Sequence, residues 1–340
     1  MKTTISIIFF FLFTAYTQLL FPAQPEKETK DLCRQAITNL EKGDFDTSMK
    51  FLRKALKIDP DCYTAYSIMG DIYRFRGKLR ESKACYEKSI KLKKGYLPPV
   101  KGLASVYRKE GDFAKAVKLC KTVLESQPSH AATYILLGDC YQKMECYDKA
   151  VSAYKKGLKY NSGNPKIYYN LGVAYLRIKD LKSGLICAQK AISLKPDYAQ
   201  AYYLAGSIKF ETGDCDQAQS YLNKSIKYKP DFADAYLVLG KISVKKGNPE
   251  AGMRLFEKAS KLNPRNHKVY YEIGILQYNN KDYPSAKKSF EESVHIDPQF
   301  APAHWRLAKT YIALGNIKEA QKEYEILKEM NKAFADDLEL

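Results

Sequence analysis

A spacing of 34 residues governs this chain almost from end to end. Its clearest copy is residues 131–164, AATYILLGDCYQKMECYDKAVSAYKKGLKYNSGN. Tyr134, Leu137, Gly138 and Tyr141 fall at i, i+3, i+4 and i+7, which is one face of a helix. After a short polar break, Tyr147, Ala150, Val151, Tyr154 and Leu158 repeat that spacing on a second helix. Two amphipathic helices of about 12–14 residues joined by a tight turn make an αα-hairpin. A lone hairpin cannot bury both apolar faces, so it must stack on others of its kind.

The others are present in register. Steps of 34 from Gly138 reach Gly172, Gly206, Gly240, Gly274 and Ala308 in one direction, and Ala104, Gly70 and Ala36 in the other. From Ala150 the same step visits Ser48, Ser82, Ala116, Gly184, Ala218, Gly252, Ala286 and Ala320, all small. Small residues at these positions let the paired helices approach closely while tyrosines fill the flanks. The register through Tyr134 holds Tyr66, Tyr168, Tyr202, Tyr236 and Tyr270, with Leu32, Val100 and His304 elsewhere. Proline closes most units, at Pro60, Pro128, Pro196, Pro230, Pro264 and Pro298, because it lacks the N–H that would continue a helix. Lys94, Ser162 and Lys332 replace it in the remaining units.

The period and the order aromatic, Leu-Gly, Tyr, Ala, Phe/Tyr, Pro resemble the tetratricopeptide repeat family over residues 29–334. The resemblance implies an all-α fold, an α-solenoid of nine hairpins wound as a right-handed superhelix, in which Gly70, Gly138, Gly172, Gly206, Gly240 and Gly274 are packing positions. It also implies that partners bind on the inner face formed by the first helices. One position after the aromatic register that face would carry Ser67, Lys101, Ile135, Tyr169, Tyr203, Leu237, Tyr271 and Trp305. Four positions further come Asp71, Ser105, Asp139, Val173, Ser207, Lys241, Ile275 and Lys309. Lys101, Tyr169, Tyr203, Tyr271 and Trp305 are the candidate partner-binding residues, suited to a protein or peptide in extended or helical form. Chaperone-binding members hold a terminal carboxylate with paired basic and Asn residues on successive repeats. Here Ser105 follows Lys101 and Leu136 stands where Asn is required, so no such clamp is expected.

Residues 1–28 are of another kind. Lys2 precedes an apolar run from Ile5 to Phe13, a weaker apolar tail, and then Pro22, Ala23, Gln24 and Pro25. This describes a secretory signal peptide over 1–23 with a short linker at 24–28, or an uncleaved N-terminal anchor. Either places the protein in the periplasm or cell envelope of a bacterial-type host.

The net charge is +18, and residues 63–198 hold 26 Lys+Arg against 11 Asp+Glu, a balance of +15. Such a surface could attract an acidic polymer or an anionic membrane, although lysine-rich helices are commonly just solubilising. Export disfavours nucleic acid, so an RNA-binding repeat ranks below an accessory role in envelope polymer assembly, and both rank below a protein-interaction scaffold. No catalytic constellation, phosphate-cradling loop or cofactor motif is present, so a non-enzymatic protein is expected. The eight cysteines show no C-x-x-C and only four histidines accompany them, which argues against a metal site. Cys120 and Cys140 are the pair that stacking of a second helix on the next first helix would bring together. Lys328, with Gln321 and Glu325, makes the last second helix polar and reads as a cap. The tail 335–340 is then too short for a further docking helix and should be dispensable.

Overall fold

The computed structural model describes residues 27–330, 332–336 and 338. The signal-peptide or anchor segment at 1–23 lies outside them. Among the described residues the chain is all-α, an α-solenoid of consecutive helix pairs with no strand. Two compact units divide between Asp180 and Leu181, a boundary that the unbroken 34-residue step does not mark. The first unit contains α1 (Lys27–Glu41), α2 (Phe45–Ile58), α3 (Tyr63–Phe75), α4 (Leu79–Leu92), α5 (Leu97–Glu110), α6 (Phe113–Ser126), α7 (Ala131–Lys143), α8 (Tyr147–Tyr160) and α9 (Pro165–Arg177). The second contains α10 (Leu181–Leu194), α11 (Ala199–Glu211), α12 (Cys215–Tyr228), α13 (Ala233–Lys245), α14 (Pro249–Leu262), α15 (His267–Asn279), α16 (Tyr283–Ile296), α17 (Ala301–Ala313), α18 (Ile317–Met330) and a short α19 (Lys332–Asp336). None is long and apolar enough to cross a membrane.

The turn inside each hairpin is built from two adjacent residues. At Gly111-Asp112 the glycine takes φ +85°, where a Cβ would be strained. The Asp112 N–H then donates to the Tyr107 carbonyl at 2.9 Å, closing α5, while its carboxylate accepts from the Lys115 N–H at 3.1 Å and caps α6. Asp44 and Asp214 cap α2 and α12 in the same way. Glu145 and Lys281 occupy the left-handed position without being glycine, at φ +58° and +61°. The second helices end one residue before the residue preceding Pro60, Pro128, Pro230, Pro264 and Pro298. Helices α4 and α8 end at the equivalent residues, although Lys94 and Ser162 stand where the proline would be. Tertiary packing therefore sets the stop, and proline reinforces it.

The glycine register works differently from a simple crossing of two small residues. A Cβ on Gly138 would lie 2.5, 2.7 and 2.8 Å from Cε1, Cδ1 and Cζ of Tyr154, sixteen residues on. Gly70 faces Tyr86, Gly206 faces Leu222, Gly240 faces Phe256 and Gly274 faces Phe290 in the same manner. Each fully buried side chain lies against the bare backbone of its partner helix, so the glycine makes room for a large neighbour. Gly172 is also buried within α9. Where the Ala150 register holds serine, the hydroxyl finds a partner in the facing helix. Ser48 Oγ donates to the Ala36 carbonyl at 2.8 Å and Ser82 Oγ to the Gly70 carbonyl at 2.7 Å.

The sequence reading expected no further docking helix after α18, whereas the short α19 (Lys332–Asp336) follows it. Phe334 of α19 lies 6.1 Å, centroid to centroid, from Trp305, and Leu338 is only 5% exposed against Ala308 and Leu327. The polar residues Gln321, Glu325 and Lys328 do face outward. Leu327 and Trp305 between them nevertheless leave an apolar strip, which the tail covers.

Candidate partner-binding face

The first helices carry the candidate residues, and each unit presents its own set. In the second unit Tyr203 on α11, Tyr271 on α15 and Trp305 on α17 occupy one register and are all half-buried. Tyr203 packs 4.9 Å from Phe232, and Tyr271 sits edge-on to Phe300 at 5.2 Å. Phe232 and Phe300 are the residues just before α13 and α17, so each tyrosine is braced by the start of the next first helix. Trp305 is braced by Phe334 and carries two cations, with Lys309 Nζ 4.0 Å and Arg306 Cζ 4.8 Å from its ring. Leu237 at the same register is buried. Lys241 Nζ of α13 pairs with Glu272 Oε1 of α15 at 2.8 Å, linking neighbouring first helices on this side. Sequence reasoning missed the bracing role of Phe232 and Phe300; their recurrence just before an Ala-rich helix start was the available signal.

In the first unit Tyr169 is half-buried on α9, and Lys101 is half-buried on α5. Lys101 Nζ donates to Gln127 Oε1 at 2.8 Å, and burial pulls its ammonium down to about 8. His130 caps α7, its Nδ1 accepting from the Thr133 N–H at 3.2 Å. Burial, then the Lys101 charge, lowers its imidazole to about 4.

Other residues read as groove-facing are absorbed by packing. Ser67 is fully buried and Asp71 is 5% exposed. Asp71 Oδ1 accepts the Tyr86 hydroxyl at 2.7 Å and Arg74 Nη2 at 3.1 Å, while Arg74 Nε also donates to Tyr86 Oη at 3.2 Å. Burial, then the Asp71 carboxylate, holds the Tyr86 phenol well above its ordinary range. Two repeats later Tyr154 donates to Asp139 Oδ1 at 2.8 Å and Gln142 Oε1 at 3.2 Å, and Asn170 donates to the same Asp139 oxygen at 2.9 Å. Each aspartate thus accepts the shortest hydrogen bond of a buried phenol. The sequence contained this logic: Gly-Asp precedes Tyr86 and Tyr154, whereas Gly-Lys and Gly-Ile precede Phe256 and Phe290, which have no hydroxyl to satisfy.

The Cys120–Cys140 pairing is not formed, and all eight thiols are free. Burial raises Cys120 to about 12 and Cys140 to about 11. The close pair is instead Cys33 and Cys62, both buried with sulfurs 3.9 Å apart. Among the described residues no three His, Cys, Asp or Glu side chains converge as metal ligands would.

Hairpins of one length, one turn and one packing rule define a helical-repeat scaffold. A model of the tetratricopeptide repeat protein 21 C-terminal ARM domain matches residues 26–132 and 100–203, and that protein's second ARM domain matches 178–247. Tetratricopeptide repeat models match 233–266 and 278–337. The chain belongs to the tetratricopeptide repeat family. None of the curated proteins matches it in sequence. A solved tetratricopeptide repeat protein from Parabacteroides merdae is 20% identical over 74% of this chain and 99% of its own, with a TM-score of 0.56. The structure of the APC/C hetero-tetramer Cut9-Hcn1 is similar over 92% of this chain and 63% of the matched one, at 13% identity and a TM-score of 0.61. At these identities the likeness is one of fold. The MamA structure is 30% identical over 49% of this chain and 97% of its own, with a TM-score of 0.45.

Proposed function

We propose that the chain is a non-enzymatic protein-interaction scaffold and that the first helices of its second unit hold a segment of a protein partner. The observation that carries this is the row of half-buried aromatics Tyr203, Tyr271 and Trp305. Each is held by an aromatic brace at its side, so its orientation is fixed before any partner arrives. Rigid, amphipathic rings of this kind supply contact area at little entropic cost. A partner segment lying across successive first helices would meet these rings and the Lys241–Glu272 pair in turn. Lys101 and Tyr169 in the first unit extend the list of candidate contacts, although Lys101 is already engaged by Gln127. The N-terminal segment supports placing this activity in the cell envelope.

The test compares proteins recovered with the full chain and with the Tyr203→Ala/Tyr271→Ala variant, quantified by mass spectrometry, with far-UV circular dichroism as the folding control. Loss of the recovered partner with helicity intact is expected. Unchanged recovery would refute the first-helix site. Lys241→Glu, which places like charges beside Glu272, tests the same face without removing a packed ring.

A further inference from the structure

A pocket formed by two second helices and the first helix between them has no place in that scheme. It lies in the first unit among α6, α7 and α8 and is an open depression of about 430 Å³. Its floor is Leu137 and Ala153, with Leu124, Tyr134 and Tyr141 around them, and its rim is Lys121, Lys149 and Lys156 together with Ser152 and Glu125. The space arises at Ala153. Steps of 34 from that residue reach the bulky Phe51, Leu119, Tyr221 and Leu255 and also Cys85, Cys187, Ser289 and Glu323, all larger than alanine. Three lysines are exposed around the opening, and among the described residues none of them forms an ion pair.

We propose that this pocket docks a short acidic segment of a protein: one apolar side chain seated on Leu137 and Ala153 between Tyr134 and Tyr141, with flanking carboxylates met by Lys121, Lys149 and Lys156. The volume lies within the range of small-ligand sites, and an apolar floor with a few convergent charges is their usual composition. The three ammonium groups outnumber the single carboxylate of Glu125, which sets the sign of the ligand. Two details favour a peptide over a nucleic acid strand. Tyr134 is already stacked on Tyr160 at 6.1 Å and 13°, so one of its faces is not open to a base, and Glu125 on the rim would repel a continuous phosphate backbone. The site is independent of the first-helix face, since none of its residues belongs to that row.

The test is fluorescence anisotropy with the full chain and a labelled heptapeptide of six acidic residues around a central phenylalanine. Its controls are the same peptide with serine for phenylalanine and an oligothymidylate of equal charge, all at about 150 mM salt, where weak surface attraction is screened. Saturable binding is expected for the phenylalanine peptide, weakened by about tenfold or more in the serine peptide. The Lys121→Gln/Lys149→Gln/Lys156→Gln variant, which changes only exposed side chains, should lose binding to a similar degree. Ala153→Leu, which restores the residue found at Leu119 and Leu255, should abolish binding by filling the floor, and Tyr203→Ala/Tyr271→Ala should leave it intact. The proposal is overturned by no saturable binding, by equal binding of the serine peptide, by stronger binding of the oligothymidylate, or by insensitivity to the lysine variant.

Discussion

Replacing Gly138 with alanine adds one methyl group at the point where the ring of Tyr154 lies on α7. Three ring atoms would stand 2.5–2.8 Å from the new carbon, against about 3.5–4.0 Å for an ordinary carbon contact. The ring must therefore retreat by about 1 Å. It is fully buried, and its hydroxyl is held by Asp139 at 2.8 Å and Gln142 at 3.2 Å, so retreat also weakens a hydrogen bond to a charged acceptor. Overpacking costs about 1–3 kcal/mol, and the weakened bond adds about 1 kcal/mol. Alanine returns about 1 kcal/mol of helix propensity relative to glycine. A net loss of about 2 kcal/mol is expected. Gly157 on α8 provides the contrast, because a Cβ there would meet the Tyr134 Cβ at 3.4 Å, the Ala131 carbonyl at 3.6 Å and the Ile135 Cγ1 at 3.8 Å, all ordinary contacts. Gly157→Ala should be neutral or stabilising by up to about 1 kcal/mol. Native-state hydrogen exchange of α7 and α8 amides reads both variants in one experiment, which suits an array that need not unfold in a single step. Equal protection in the two variants would falsify the ring-on-glycine packing.

Deleting residues 332–340 should uncover Leu327 and Trp305 and destabilise the α17–α18 hairpin by about 2–4 kcal/mol, read as lost exchange protection there; unchanged protection would show that the tail is not part of the core. Burial alone would lower the His304 imidazole, but the Glu323 carboxylate 2.6 Å away and the Pro298 carbonyl outweigh it and raise it above its ordinary 6.5. Its contribution is therefore full below 6.5 and is lost as pH rises through the higher folded value, so α17 protection should fall over that window and His304→Gln should flatten the response. His130 has the opposite sign. It is held neutral with a folded value of about 4, so acidification from 6.5 towards 4 should loosen the start of α7, and His130→Asn, which can cap without titrating, should remove that dependence.

Much of this was legible because a repeat states its own rules nine times. The small-residue registers through Gly138 and Ala150 showed where helices pair, whereas the Gly-Asp turns at Gly43, Gly111 and Gly213 emerged only with the positive φ of each glycine. The identity of what each glycine faces was less accessible, since it depends on side-chain direction across a crossing as well as on spacing. The same reason explains Asp71 and Asp139: a position that lies on an exposed face in a helical wheel can still turn towards a buried phenol. The short α19 was not anticipated because Gln321, Glu325 and Lys328 read as a polar cap and the remaining residues as too few to dock, whereas Phe334 and Leu338 lie on a strip that those polar residues do not cover. The pocket beside Ala153 could not be anticipated from one repeat, because it depends on how small Ala153 is beside Phe51, Leu119, Tyr221 and Leu255 at the same register.

Whether a partner runs along the first helices is tested most directly by photo-crosslinking in cells that make the protein. A benzophenone side chain would be placed in turn at Tyr203, at Tyr271 and at the exposed Lys258 on the second helix α14. A scaffold that grips its partner on the first-helix face gives one discrete protein adduct, of the same mass, from positions 203 and 271 and none from 258. Equal adducts from all three, adducts from 258 alone, or none from 203 and 271 would contradict it.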